Sequence, residues 1–312
     1  MSRIHEALKK AEQERASSPV AEIDSPAPPH PAVSVAPDRV PMATPGALRG
    51  PDSITSMSDY LRFEDLRARC AQPTWHLDPD RNVFFNSELS ATAAEQLRTL
   101  RSRLYQLRND LTLRSLLITS SVPGEGKTFV TSNLAQAIVR QPDRRVLIID
   151  ADLRCARLHS LLGAPARPGL TDYLSGEADE VSVIQRGPDS NLCFIPGGTE
   201  VANPSELLSN GRLKQLLDRM TPMFDWVIFD SPPCLPVADA TILAGLCDGV
   251  LLVVRAATTP AEVAQRACQE LKDSKLIGVV LNAVNEEHAY GSYYPQGYGY
   301  VYGQKEVAES RN

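Results

Sequence analysis

The chain has 312 residues and a formal net charge of −6, with 43% hydrophobic and 22% charged residues. That length suits one large α/β domain with appendages or two small domains, and the acidic balance argues against a dedicated nucleic-acid binder. No apolar run approaches the ~20 residues that cross a bilayer, and the charged start MSRIHEALKKAEQERA has no apolar leader core, so a cytoplasmic chain that meets membranes only through a partner is expected.

Residues 1–16 are expected to form a short amphipathic helix, with Ile4, Leu8 and Ala11 on one narrow stripe. It reads equally as a frayed end or as a docking helix for a partner. Pro, Ala, Ser and Val dominate from Ser17 to about Pro51, a composition too poor in buriable surface to offset its ordering entropy. Residues 52–86 are mixed, with a short helix expected around Tyr60–Arg69. The whole of 17–86 is expected to act largely as a disordered linker.

The phosphate-handling domain is expected over residues 87–285. A helix covers Ala91 to Leu107, with Leu97, Leu100 and Leu104 spaced for one face. Strands are predicted at Ser115–Ser120, Val146–Ile149, Asn191–Ile195, Trp226–Phe229, Val250–Val254 and Leu276–Leu281. Helices are predicted at Lys127–Arg140, Pro204–Met220, Asp239–Leu246 and Pro260–Leu271. The strands are continuous apolar runs rather than alternating ones, which indicates a mostly parallel sheet buried on both faces and flanked by helices. The six cysteines form no CxxC and read as reduced thiols.

Three motifs carry chemistry. The first, SSVPGEGKT (Ser120–Thr128), lies between a strand and a helix. Its glycines let backbone amides turn onto phosphate oxygens, Lys127 would reach the β- and γ-phosphates and Thr128 would ligate Mg²⁺. The strict P-loop pattern opens on Gly where Ser121 stands. The second, VLIIDADLR (Val146–Arg154), sends Asp150 and Asp152 off the C-terminal end of a buried strand, where ligands bind in such sheets. These acids can serve a metal or accept a proton from an incoming hydroxyl; otherwise they cap the next turn. The third, WVIFDSPP (Trp226–Pro233), ends an apolar strand on Asp230, a Walker B pattern that holds Mg²⁺ directly or through water.

Together these segments resemble the bacterial tyrosine kinases of capsule and exopolysaccharide systems. The resemblance rests on SxxPGxGK[ST] at Ser121–Thr128, apolar residues then DxDxR at Leu147–Arg154, and apolar residues then DxPP at Val227–Pro233. It extends to ExxRxxR at Glu95, Arg98 and Arg101, to NPSELLSN at Asn203–Asn210, and to a closing tyrosine cluster. The first residues are also similar to autokinases found beside exosortase-linked loci. The resemblance implies a P-loop α/β domain. Ser121, Pro123, Gly124, Glu125, Gly126, Lys127 and Thr128 would cradle ATP, and Thr128, Asp152 and Asp230 would organise Mg²⁺. Lys127, Asp150, Asp152 and Asp230 would be catalytic, with Asp150 or Asp152 orienting or deprotonating the tyrosine. Asn282, ending the last strand, is a candidate adenine reader or a plain strand-end amide, and Arg255 is a similar candidate. Glu95, Arg98 and Arg101 would meet a neighbouring subunit in a ring; the plain alternative is a solvated charged face.

Six of the nine tyrosines, Tyr290, Tyr293, Tyr294, Tyr298, Tyr300 and Tyr302, fall in residues 286–312, interleaved with Gly, Ser, Gln and Pro. Such a segment packs poorly, so its phenols are expected to be accessible phosphoacceptors; a weakly adhesive tail is the plain alternative. The resemblance implies a homo-oligomer and a separate membrane activator of a polysaccharide system. The rival class is a partitioning-type ATPase. Those proteins carry a signature Lys at the second P-loop position, where this chain has Val122.

Overall fold

The computed structural model describes residues 62–84, 91–189 and 191–284. Residues 1–16, most of the expected linker and the tyrosine cluster lie outside the described residues. The elements in chain order are α1 (Phe63–Arg69), α2 (Ala91–Asp110), β1 (Ser115–Ser120), α3 (Lys127–Val139), β2 (Val146–Asp150), α4 (Leu158–Leu162), α5 (Leu170–Ser175) and β3 (Gln185–Arg186). They continue with β4 (Leu192–Ile195), α6 (Pro204–Leu208), α7 (Arg212–Met220), β5 (Trp226–Asp230), α8 (Asp239–Ala244), β6 (Gly249–Arg255), α9 (Ala261–Glu270) and β7 (Leu276–Asn282).

The strands form one seven-stranded sheet in the order β3-β4-β2-β5-β1-β6-β7. Every pairing is parallel except the short edge pair β3 and β4. The P-loop α/β architecture expected from the apolar strands is the one observed. Strand periodicity sorts side chains to two faces. Leu117, Leu147, Ile149, Val227 and Phe229 face a layer built from α1 and α5 to α9. Leu116, Ile118, Val146, Ile148 and Ile228 face a layer built from α2, α3 and α4. Every residue of β1, β2 and β5 is buried, which explains why their sequences do not alternate.

Two expectations need correction. The linker expected to run to residue 86 ends earlier, because residues 62–84 pack against the domain. Leu66 is fully buried, and Phe63 meets Phe224 edge-on at 5.4 Å beneath the Arg145 guanidinium. Trp75 meets Phe194 edge-on at 5.9 Å, and Ala71 pairs with Gln185 at the sheet edge. The short helix expected around Tyr60–Arg69 is α1, but few apolar residues, widely spaced among polar ones, hid its packing and that of residues 70–84 from a periodicity reading. The helix expected over Pro204–Met220 is two helices. Gly211 between them has φ +81°, a left-handed conformation that glycine alone adopts freely, and the Asn210 carboxamide accepts from the Arg212 amide at 3.0 Å. The short α4, α5 and β3 were not anticipated at all.

If residues 62–84 belong to the folded unit, Phe63→Ala is expected to destabilise the protein by about 3 kcal/mol. Urea unfolding checks it; an inert linker would show no change.

Candidate functional site

The sheet register builds the site. β2 and β5 run side by side with Asp150 opposite Asp230, so both carboxylates leave the sheet at the same C-terminal edge. β1 flanks β5 on the other side and delivers the P-loop to that edge. The loop turns on Gly124 (φ +88°) and Gly126 (φ +95°). The left-handed φ at Gly126 favours glycine, and a Cβ there would also displace the Asn282 amide. α3 begins at Lys127, and its first backbone N–H groups point to the loop concavity, a ready anion site.

The Lys127 ammonium lies 2.7 Å from Asp152 Oδ2, 4.0 Å from Asp230 Oδ1 and 3.5 Å from Thr128 Oγ1. The three segments singled out in the sequence therefore converge within one ion-pair cluster. Burial works to lower the pKa of Lys127, but the Asp230 and Asp152 carboxylates outweigh it and hold the pKa above the ordinary value. Asp230 is fully buried. Burial pushes its pKa up to about 6, against the opposing pull of Lys127 and hydrogen bonds from Thr128 and Thr131. Its Oδ2 has no hydrogen-bond partner among the described residues. Burial also raises Asp150 well above the carboxylate range, with the Asp230 charge adding to the rise. Asp150 accepts from the Leu158 amide at 3.0 Å and the Asp152 amide at 3.3 Å, so it also ties down the turn after β2.

The donor set fits a hard divalent cation. Asp230 leaves one buried oxygen unpartnered beside Thr128 and Asp152, and the carboxylates outnumber the single lysine. No cluster of three or more His, Cys, Asp or Glu at metal-ligand spacing occurs among the described residues.

Other expected residues take different positions. Glu125 turns its side chain away from the loop concavity and buries it. Oε2 accepts from the Val122 amide at 2.9 Å, and Oε1 accepts from the Arg255 amide at 3.4 Å and from the Thr259 hydroxyl. Its carboxylate braces the loop, leaving only its backbone to face a ligand. Asn282 donates to the Glu125 carbonyl at 2.8 Å, so its amide also holds the loop. Ser121 is fully buried with its hydroxyl unpartnered among the described residues. Glu95 and Arg98 form an exposed pair at 3.0 Å, while Arg101 donates to the Ala137 carbonyl at 2.6 Å and fastens α2 to α3.

Sequence reasoning missed the partners of Arg154. Its guanidinium makes a forked contact with the buried Asp239, at 2.8 and 3.1 Å, and donates to Ser205 at 3.0 Å. Burial works to raise the Asp239 carboxyl, but the Arg154 and Ser205 hydrogen bonds outweigh it and the pKa is lowered. The NPSELL segment supplies Ser205, which was the available signal.

An AAA-domain family model matches residues 114–274. Tyrosine-protein kinase YwqD of Bacillus subtilis (strain 168) is 36% identical over 217 residues, covering 68% of this chain and 91% of that protein. The chain belongs to the bacterial tyrosine-protein kinase family. The putative tyrosine-protein kinase EpsB of Ralstonia solanacearum is 38% identical over 212 residues, 67% of this chain but 28% of that protein. The kinase domain of Escherichia coli tyrosine kinase etk superposes with a TM-score of 0.60 at 35% identity, covering 67% of this chain and 80% of that one. The chimerical protein CapA2B2 superposes with a TM-score of 0.62 at 26% identity, covering 72% and 99%. As a tyrosine-protein kinase of this family the chain is a nucleotide-using enzyme. Among the described residues no helix is long and apolar enough to cross a membrane.

The native chain keeps a proton on Asp230 between about pH 4 and 6 that the unfolded chain has already released. Stability of the nucleotide-free protein should therefore fall as pH rises through that window. Asp230→Asn is expected to unfold at higher urea than the parent at pH 7, by about 2 kcal/mol, and to match it near pH 4.

Proposed function

We propose that this chain is an ATP- and Mg²⁺-dependent tyrosine autokinase that phosphorylates Tyr290, Tyr293, Tyr294, Tyr298, Tyr300 and Tyr302 of its own tail. The observation that carries the reading is Lys127 held between Asp152 and Asp230 at the P-loop, in a chain whose end concentrates six tyrosines. Phosphoryl transfer needs little covalent chemistry from the protein and depends on positioning and charge neutralisation. The amides of Gly124 to Thr128 and the Lys127 ammonium hold the phosphates. Thr128, Asp152 and Asp230 would hold Mg²⁺, which would neutralise phosphate charge when bound.

A tyrosine hydroxyl has a pKa of ~10 and gives up its proton late, as charge develops on its oxygen. Asp150 or Asp152, in the turn after β2, would orient it or receive that proton. Asn282 lies beside the P-loop, which supports an adenine contact by that strand end. Transfer to a neighbour in a ring, with Glu95, Arg98 and Arg101 at the subunit contact, accounts for a tail that leaves the sheet next to the site. Each phosphate adds ~1.5–2 negative charges, so phosphorylation would disperse such a ring. The names of EpsB and of the putative tyrosine-protein kinase AmsA of Erwinia amylovora support the same family. We place this chain in an exopolysaccharide system, recruited to the inner face of the membrane by a separate activator.

Purified protein incubated with Mg·ATP, with the activator's cytoplasmic segment added if the free chain is silent, is expected to gain phosphate on tail tyrosines by peptide mass spectrometry. Lys127→Ala should lower it at least about a hundredfold, and a variant with all six tail tyrosines changed to Phe should abolish it. ATP turned to ADP without phosphotyrosine would replace the kinase reading with that of an assembly ATPase. Light scattering tests the ring: truncation after Asn282 is expected to reduce oligomer size, and an unchanged size would sink tail insertion.

A further inference from the structure

A cavity of about 330 Å³ opens on the outer side of the P-loop, away from the Lys127 cluster. Val122 and Pro123 of the loop form one wall, and Pro260 and Val263 at the start of α9 form the other. Arg255 and Thr258 line it as well. Arg255 is exposed, and its Nη1 donates to the Gly124 carbonyl at 3.2 Å. Among the described residues its guanidinium has no ion pair, so most of its donors remain available at an apolar-walled cavity. The Glu125 carboxylate also lines the cavity, but both its oxygens accept from Val122, Arg255 and Thr259.

Apolar walls beside an uncommitted guanidinium suit a flat ring that carries an anion. A guanidinium binds phosphate through forked, charge-assisted hydrogen bonds, and the volume lies within the range of small-molecule sites. The chain supplies such a group nearby. Asn282 ends β7 and donates to the Glu125 carbonyl, so the tail departs beside the cavity. Tyr290 follows eight residues later and Tyr298 sixteen. At about 3.3–3.6 Å per extended residue, either can reach it.

We propose that this cavity is a docking site for a phosphotyrosine of the C-terminal tail, its ring between Val122, Pro123, Pro260 and Val263 and its phosphate on Arg255. The proposal rests on the tail being phosphorylated, as proposed above. It assigns the outer wall of the P-loop to the product of the reaction, while the inner concavity serves the nucleotide.

A fluorescent synthetic peptide of residues 288–303, phosphorylated on Tyr298, tests it by anisotropy with the full chain. Saturating Mg·ADP keeps phosphate out of the P-loop concavity. The phosphopeptide is expected to bind at least about tenfold more tightly than the plain peptide, and phenyl phosphate should compete. Arg255→Gln, which removes the guanidinium, and Val263→Trp, which fills the cavity, should each weaken binding about tenfold while thermal unfolding by circular dichroism stays cooperative. Equal binding of the two peptides would overturn the proposal. So would binding that disappears with Mg·ADP, or wild-type binding by both variants. The synthetic phosphate makes the outcome independent of whether the chain phosphorylates itself.

Discussion

One lysine ammonium at the edge of a buried sheet holds three segments of chain together. Asp150, Asp152 and Asp230 gather where β2 and β5 end, in a region largely closed to water. Ionised carboxylates so placed repel one another and lose solvation. Lys127 answers part of that demand by direct contact with Asp152 and proximity to Asp230. The remainder appears as the raised proton affinity of Asp150 and Asp230. An excess of buried negative charge is unfavourable to the resting fold, and each positive group brought to this edge relieves it.

The P-loop must present its amides in one geometry, and the structure secures that from outside the loop. The Glu125 carboxylate ties Val122 within the loop to Arg255, the last residue of β6, and to Thr259 beyond it. Asn282 at the end of β7 grips the Glu125 carbonyl. Two strands that supply nothing to the carboxylate cluster thus fix the loop that completes it. A buried carboxyl group suits such a place because each oxygen accepts a hydrogen bond, and Oε2 relies on the Val122 amide alone.

Much of this was legible in the sequence for specific reasons. Buried parallel strands advertise themselves as unbroken apolar runs, as SLLITS, VLIID and WVIFD do, and each motif hangs directly on the end of one. The convergence of Lys127 with Asp152 and Asp230 followed from the order of those strands. The strap at residues 62–84 was hidden because Phe63, Leu66 and Trp75 act through separate long-range contacts with no shared period. The break at Gly211 was misread because apolar periodicity on both sides of it outweighed a three-residue turn. The inward turn of Glu125 had no signal, since a polar residue in a glycine-rich loop reads equally as a ligand contact or a brace, and only its partners decide.

Arg154 shows how the DxDxR segment reaches beyond the cluster. It stands two residues after Asp152, and its side chain spans to Asp239 on α8 and Ser205 on α6, in the layer across the sheet from α3. Asp239 is fully buried and charged, a state it keeps only through the guanidinium and the Ser205 hydroxyl. The forked geometry fixes the direction of the Arg154 side chain, and with it the path of the turn that carries Asp152 to Lys127. A helix-layer contact and the Lys127–Asp152 ion pair are therefore separated by two peptide units. Movement of α6 or α8 would be felt at Asp152 through that short lever, which gives the NPSELL segment a physical reason to accompany DxDxR in the same sequence.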